Sequence, residues 1–85
     1  TESMAAELAP LGIRVNAGAP GLMITPMTAP TRENADTAQM YIDRIPMGRF
    51  GEAEELVGPV LFLVSPQSSY VTGVMLPVDG GYLTI

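Results

Sequence analysis

The chain contains no cysteine, no histidine and no lysine. Without histidine, no side chain titrates by default near neutral pH, and without lysine, neither Schiff-base nor ammonium chemistry is available. Carboxylates and tyrosines remain for proton transfer, and an unassisted tyrosine has a pKa near ~10. The sequence therefore predicts no catalytic residue within this chain. The absence of cysteine also means that no disulfide stabilises the fold.

Basic residues are scarce as well, because four arginines stand against nine acidic residues and the net charge is −5. The arginines are scattered along the chain, which disfavours nucleic acid as a partner. The longest apolar run, residues 56–64, is far shorter than the roughly 20 residues that span a bilayer. No basic start precedes an apolar run at the N-terminus. We expect a cytoplasmic protein with neither a nucleic-acid partner nor a membrane partner.

Apolar residues, by contrast, are abundant for a chain of this length. They make up 47% of the 85 residues, which excludes disorder on composition alone. A chain this short forms at most one small domain and buries only about 60% of its unfolded surface by itself. The apolar excess therefore predicts burial against something outside the chain.

The first 21 residues carry signals for a helix, a strand and a turn. Apolar residues at helical spacing predict a helix over residues 1–11, which Pro10 and Gly12 end. The helix has no convincing N-cap, so we expect the chain to begin inside a helix and a preceding part to be missing. Alternation from Ile13 to Ala17 predicts a short strand, which residues 19–21 end.

Residues 22–51 predict a long excursion with short helices, one of them over residues 38–45, and such insertions often serve a site. Acidic residues from Glu52 then open a helix that is apolar on nearly every side, with a bend expected at Pro59. An apolar helix of this kind is usually buried on more than one side. Residues 65–69 predict a loop and residues 71–78 a final strand. The order strand, crossover, strand predicts a parallel pair within a larger sheet.

Three segments of the chain form a pattern together. They are AELAPLGIRVN (6–16) followed by APG (19–21), IPMGRFGE (45–52) with Glu55, and YVTG (70–73) with VDGG (78–81). In this order and spacing, they resemble the short-chain dehydrogenase/reductase family. The resemblance implies an α/β fold, the C-terminal part of a doubly wound parallel Rossmann sheet. Residues 1–85 would be one segment of a single NAD(P)-binding domain: the end of a helix, a strand, substrate-side helices, a buried helix and the last strand.

The resemblance also implies what the chain lacks. The family's glycine-rich phosphate loop, its catalytic Asn and Ser, and its Tyr-x-x-x-Lys pair lie upstream of the matched region. Asn16 belongs to the later strand motif and is not the catalytic Asn. This chain alone is therefore predicted to be inactive, with the missing N-terminal part of the same enzyme as its partner. The residue that would distinguish NAD from NADP lies in that part as well.

The loop after the first strand carries the cofactor-binding residues that the resemblance implies. Pro20 and Gly21 would line the nicotinamide, the backbone of Met23 would bond the carboxamide, and Thr25 would offer its hydroxyl to the carboxamide or a phosphate. Such a loop leaves the carboxyl end of a parallel strand, where dinucleotides bind. For an isolated Pro-Gly the simpler interpretation is a turn.

Other residues have two interpretations each. One apolar set is either a substrate-pocket wall or ordinary core: Met27, Met40, Tyr41, Ile42, Ile45 and Met47. Arg49 either contacts an anion or ties the loop to the following helix. Glu52, Glu54 and Glu55 suggest a metal site less than partners of a helix dipole, so no metal site is predicted. Residues 79–81 are interpreted as the family's terminal loop.

The function that the resemblance implies is hydride transfer between NAD or NADP and a small-molecule alcohol or carbonyl. The chain would contribute the nicotinamide-side loop, the substrate lid and the interface of a homodimer or homotetramer. The alternative is a non-catalytic, self-associating fragment or interaction module that binds no cofactor.

Overall fold

The computed structural model describes residues 1–82. The described part contains the α-helices Glu2–Leu8 (α1), Ala29–Glu33 (α2), Ala35–Arg44 (α3) and Val57–Val64 (α4), and the strands Ala17–Pro20 (β1) and Met75–Val78 (β2). Short 3-10 turns occupy Ala9–Leu11, Pro26–Thr28, Ala53–Leu56 and Pro66–Ser68. The predicted helices at 1–11 and 38–45 correspond to α1 with its following turn and to α3.

The two strands run parallel and side by side, as the sequence predicts. Ala17 pairs with Met75, and the register continues to Pro20 opposite Val78. Helices α2, α3 and α4 all lie in the connection between them. The chain is thus an α/β structure with a small parallel sheet, as the sequence predicts.

Both strands are shorter than predicted, because before Ala17 the backbone bond from the Gly73 N–H to the Val15 carbonyl, at 2.8 Å, is interspersed with side-chain bonds and no regular ladder forms. The Asn16 amide Nδ2 donates to the Val71 carbonyl at 3.0 Å, and its Oδ1 accepts from the Val74 N–H at 3.0 Å. The Val15 N–H donates to Oγ1 of Thr72 at 3.1 Å. The prediction that the first strand begins at Ile13 and the last at residue 71 is wrong, since a regular ladder starts only at Ala17 and Met75.

The end of the first strand also differs from the prediction. Residues 19–21 were expected to terminate it, but β1 includes Pro20. Ala17 and Gly21 donate their N–H groups to the Val74 and Val78 carbonyls of the neighbouring segment, at 2.9 and 3.0 Å. Alternate residues of a parallel strand face a given neighbour, so the missing N–H of Pro20 faces away from β2 and costs the pair no hydrogen bond.

Helix α4 follows a 3-10 turn over Ala53–Leu56. Pro59 is the third residue of α4, where amides have no partner inside the helix. The 3-10 turn gives way to the α-helix after Leu56, before Pro59, and the bend at Pro59 stays a prediction. Of its apolar residues only Leu63 is buried, whereas Leu61 is 59% exposed.

The interior of the chain is small. The buried hydrophobic residues are Ala5, Met23, Ile45, Phe50 and Leu63. Among residues 1–82, no helix combines the length and the apolar character that crossing a bilayer requires.

Candidate functional site at the carboxyl ends of the strands

The carboxyl ends of β1 and β2 lie next to each other, and the chain leaves them at Gly21 and Asp79. A Cβ atom added to Gly21 would lie 2.5 Å from the Asp79 Cβ and 2.8 Å from its Cα. Real Cβ atoms do not approach so closely, so the Asp79 backbone already requires glycine at this position. Packing between the two strand ends therefore explains Gly21 without any ligand.

The loop after Gly21 is held by Gly51, a residue from the far end of the excursion. The Gly51 N–H donates to the Leu22 carbonyl at 2.9 Å, and the Ile24 N–H donates to the Gly51 carbonyl at 2.8 Å. Met23 lies between these bonds, paired with Gly51 in a parallel bridge. Its side chain is 7% exposed and would be 2.9 Å, measured at its sulfur, from a Cβ on Gly51.

This bridge fixes the direction of the Met23 amide. Gly51 engages the carbonyl before it and the N–H after it, so the Met23 N–H points to the opposite side, away from Gly51. Within residues 1–82 it has no hydrogen-bond acceptor. An oriented, unpaired backbone donor at the carboxyl end of a parallel strand can bind a ligand carbonyl.

The same loop is held from its other side by Thr28 and Arg32. Oγ1 of Thr28 lies 2.7 Å from the Met23 carbonyl, to which it donates, and accepts from the Thr25 N–H at 3.2 Å. Arg32 donates from Nε to that Oγ1 at 3.0 Å and from Nη2 to the Thr25 carbonyl at 2.8 Å. No sequence motif singles out Thr28 or Arg32. Their four-residue separation at the start of a helix is the signal that the sequence offers.

The four residues predicted to bind the cofactor lie in one continuous segment along this edge. Pro20 is exposed at the end of β1, Gly21 contacts Asp79, Met23 is buried and Thr25 is half-buried before the turn Pro26–Thr28. A cavity beside them is lined by Ala19, Pro20, Gly21, Leu22, Asp79 and Tyr82. The structure thus brings the predicted segment against Gly51 and Asp79, which lie far away in the sequence.

Arg49 ties the excursion to the turn before α4. Its Nη1 and Nη2 donate to Oε1 and Oε2 of Glu55 at 2.7 and 2.9 Å, and the Glu52 N–H donates to the same carboxylate at 2.9 Å. Of the two interpretations of Arg49, the structure supports the second, in which Arg49 ties the loop to the following helix.

The pair also changes the titration of both groups. The hydrogen bond from Arg49, and then that from the Glu52 N–H, lower the pKa of Glu55 from 4.5 to about 2. The same bond raises the pKa of Arg49. Because the folded-state pKa of Glu55 is lowered, its stabilising contribution is complete above about pH 4.5 and is lost as the pH falls towards 2. Both side chains are about half exposed, so solvent screens this contribution.

The apolar residues that have two interpretations in the sequence differ in their solvent exposure. Ile45 is 4% exposed and belongs to the interior, whereas Met27 is 91%, Met40 47% and Met47 64% exposed. Tyr41 and Ile42 are half-buried. In the described part of the chain, no three acidic side chains converge to hold a metal ion.

Comparison with known proteins gives matches over nearly the whole chain. A family model described as Enoyl-(Acyl carrier protein) reductase matches residues 1–83. Galactitol 2-dehydrogenase (L-tagatose-forming) of Cereibacter sphaeroides is 51% identical over 96% of this chain and 32% of its own length. The 3-oxoacyl-(acyl-carrier-protein) reductase of Thermotoga maritima is 52% identical over 95% of this chain and 32% of its own length.

A solved structure also matches the whole length of this chain. The crystal structure of a gluconate 5-dehydrogenase from Burkholderia cenocepacia J2315, in complex with NADP and tartrate, superimposes with a TM-score of 0.95 at 36% identity. The match covers 100% of this chain and 33% of that one. The chain thus spans 32% of the length of the two curated relatives.

Proposed function

Since the chain belongs to the short-chain dehydrogenase/reductase family, we propose that it forms the C-terminal part of an NAD(P)-dependent oxidoreductase. The complete enzyme moves hydride between NAD or NADP and a small-molecule alcohol or carbonyl. Relatives whose names describe dehydrogenases and reductases, and solved structures with bound NADP, support this proposal. The Tyr-x-x-x-Lys pair lies in the part of the enzyme outside this chain, because this chain has no lysine.

The observation that carries the proposal is the oriented Met23 amide at the carboxyl end of β1. The nicotinamide ring supplies or accepts the hydride, and its carboxamide needs a donor that holds the ring in one orientation. The Met23 N–H is the donor proposed here, with the Thr25 hydroxyl reaching the carboxamide or a phosphate. Pro20 and Gly21 line the ring at the strand edge. Gly51 holds the Met23 amide in place before any ligand arrives, so binding requires little reordering.

The edges of the two-stranded sheet support the proposal that more of the sheet lies beside β1. The bonds to the Val74 and Val78 carbonyls place the even-numbered residues of β2 against β1, so Pro77 faces the opposite edge. Proline in a strand is tolerated at a sheet edge, which suits β2 as the last strand. The far edge of β1 carries the N–H of Gly18, which a further parallel strand can bond.

Exposed apolar side chains support the proposed substrate lid and the proposed subunit interface. Met27, Met40 and Met47 give the excursion an adaptable apolar surface for a substrate lid. The apolar face of α4, with Val60 and Leu61 about half exposed, provides a surface for a homodimer or homotetramer.

The test uses the complete protein that carries this chain. It is titrated with NADH and with NADPH while fluorescence reports binding, first as wild type and then as Met23→Ala and Met23→Pro. Both variants lose the buried thioether, but only proline removes the N–H, which makes no bond within residues 1–82. We expect the proline variant to bind cofactor about tenfold more weakly than the alanine variant, the effect of one lost hydrogen bond in a buried site.

Thermal unfolding of both variants without cofactor is the control, because the comparison is valid only if they are equally folded. Equal affinity of the two folded variants contradicts the role of the Met23 amide. A folded wild-type protein that binds neither cofactor at 100-fold excess over its own concentration contradicts the oxidoreductase, and leaves the self-associating interaction module as the function.

A further inference from the structure

Arg32 stands apart from the family motifs and from the segment predicted to bind cofactor. It lies in the last turn of α2, the first helix of the excursion, and is half-buried. Its guanidinium reaches back over the turn Pro26–Thr28 to the loop that follows β1. None of its contacts is to an acidic side chain.

Two of its donors have acceptors in this loop. Nε lies 3.0 Å from Oγ1 of Thr28 and Nη2 lies 2.8 Å from the Thr25 carbonyl. A planar guanidinium with two engaged donors fixes direction as well as distance, and a charged donor makes a stronger bond than a neutral one.

The hydroxyl of Thr28 extends this arrangement to Met23. Because Oγ1 accepts from Arg32 and from the Thr25 N–H, its own proton is directed to carbonyl oxygens, and the Met23 carbonyl at 2.7 Å is the nearer of two. The peptide group between Met23 and Ile24 is therefore held on one side by Thr28 and on the other by Gly51, which accepts the Ile24 N–H. The Met23 N–H belongs to the preceding peptide group, whose Leu22 carbonyl accepts from the Gly51 N–H, so the backbone is held on both sides of the Met23 Cα.

We infer that Arg32 is a positioning residue, which through Thr28 and Thr25 fixes the peptide group after Met23 and thereby helps to hold the adjoining Met23 N–H in the orientation that receives the nicotinamide carboxamide. This inference rests on the proposed function. It adds that the first helix of the substrate-side excursion and the cofactor loop are mechanically joined, since a shift of α2 moves the guanidinium and both carbonyls together. No direct contact between Arg32 and the cofactor is involved.

The test compares Arg32→Gln, Arg32→Lys and Thr28→Val in the complete protein. Arg44→Gln is the matched control, because Arg44 is an exposed arginine at the end of α3 whose side chain makes no hydrogen bond within residues 1–82. We expect Arg32→Gln to raise the dissociation constant and the KM for cofactor about tenfold. The KM for the alcohol or carbonyl should stay within about twofold, and Arg44→Gln should behave as wild type.

Two further readouts separate positioning from general damage. Arg32→Lys keeps the charge but cannot supply two donors in one plane, so it should restore only part of the affinity. The double variant Arg32→Gln with Thr28→Val should bind about as weakly as either single one, because both remove the same network. If the losses add fully, Arg32 does not act through Thr28 and the inference is overturned.

Hydrogen exchange gives a readout that needs no cofactor. In the cofactor-free protein, Arg32→Gln should speed exchange of amides in residues 22–28, and Arg44→Gln should not. Unchanged exchange and unchanged affinity in Arg32→Gln overturn the positioning role while the proposed function stands. A wild-type protein that binds no nicotinamide cofactor overturns both, and that result is recognised before any variant is made.

Discussion

At the scale of single residues, Gly21 has two separate reasons to be glycine, one from packing and one from the proposed cofactor binding. The resemblance implies glycine because a flat ring approaches the backbone there. The structure adds a second reason, because the Asp79 backbone occupies the space of a side chain on Gly21. The two reasons predict different behaviour in the absence of cofactor.

Replacement of Gly21 by alanine should therefore destabilise the cofactor-free protein. The added Cβ has to displace Asp79 atoms at 2.5 and 2.8 Å, and overpacking of this kind costs about 1–3 kcal/mol in the free energy of unfolding. Chemical denaturation without NAD or NADP measures it. Gly58→Ala is the control, since a Cβ at that helical position meets nothing within 4 Å and should be neutral or slightly stabilising. Equal stability of the two variants would leave ring approach as the only reason for glycine.

At the scale of elements, side chains as well as backbone groups join the segments that lead into the two strands. Asn16 uses both ends of its amide, as a donor to the Val71 carbonyl and as an acceptor from the Val74 N–H. Arg14 adds bonds to the Val71 and Ser65 carbonyls at 3.1 and 3.2 Å. These side-chain bonds support the register of β1 against β2 together with the backbone bond from the Gly73 N–H to the Val15 carbonyl.

The substitution Asn16→Asp should expose this dependence. Aspartate keeps the acceptor for the Val74 N–H but loses the donor and places negative charge against the Val71 carbonyl, at a cost of about 1–3 kcal/mol in the free energy of unfolding. Asn34→Asp is the same chemical change at the N-cap of α3, where only an acceptor for the Thr37 N–H is needed and aspartate serves equally well. Urea unfolding of both variants decides the matter, and similar midpoints would mean that Asn16 does not set the register.

At the scale of the whole molecule, the chain does not close on itself. Its radius of gyration is 15.7 Å, against about 12 Å for a compact domain of this length. Its accessible surface is 5911 Å², against about 4,900 Å² for a compact monomer of its mass. The exposed apolar residues of α4 account for part of this excess, so the fold is consistent with burial against further polypeptide.

A charge on the apolar face of α4 tests that burial. In the complete protein, Leu61→Lys should lower the unfolding midpoint or dissociate subunits, because covering a leucine that is 59% exposed here is worth about 1–1.5 kcal/mol and a buried lysine reverses that gain. Gln67→Lys adds the same charge at an exposed polar position nearby. Analytical ultracentrifugation and thermal unfolding compare them, and identical behaviour of the two variants would place Leu61 in solvent.

The sequence by itself determined the kinds of element, their order, the parallel pairing and the family, because apolar spacing and the three family segments are local features of the chain. The absence of lysine alone excludes the family's Tyr-x-x-x-Lys pair from these residues. Only the tertiary structure decided where the strands begin, why Gly21 cannot carry a side chain and which groups hold the Met23 amide. Those answers depend on Asn16 meeting Val74, Gly21 meeting Asp79 and Met23 meeting Gly51. Such contacts join residues far apart in the chain, and no local periodicity encodes them.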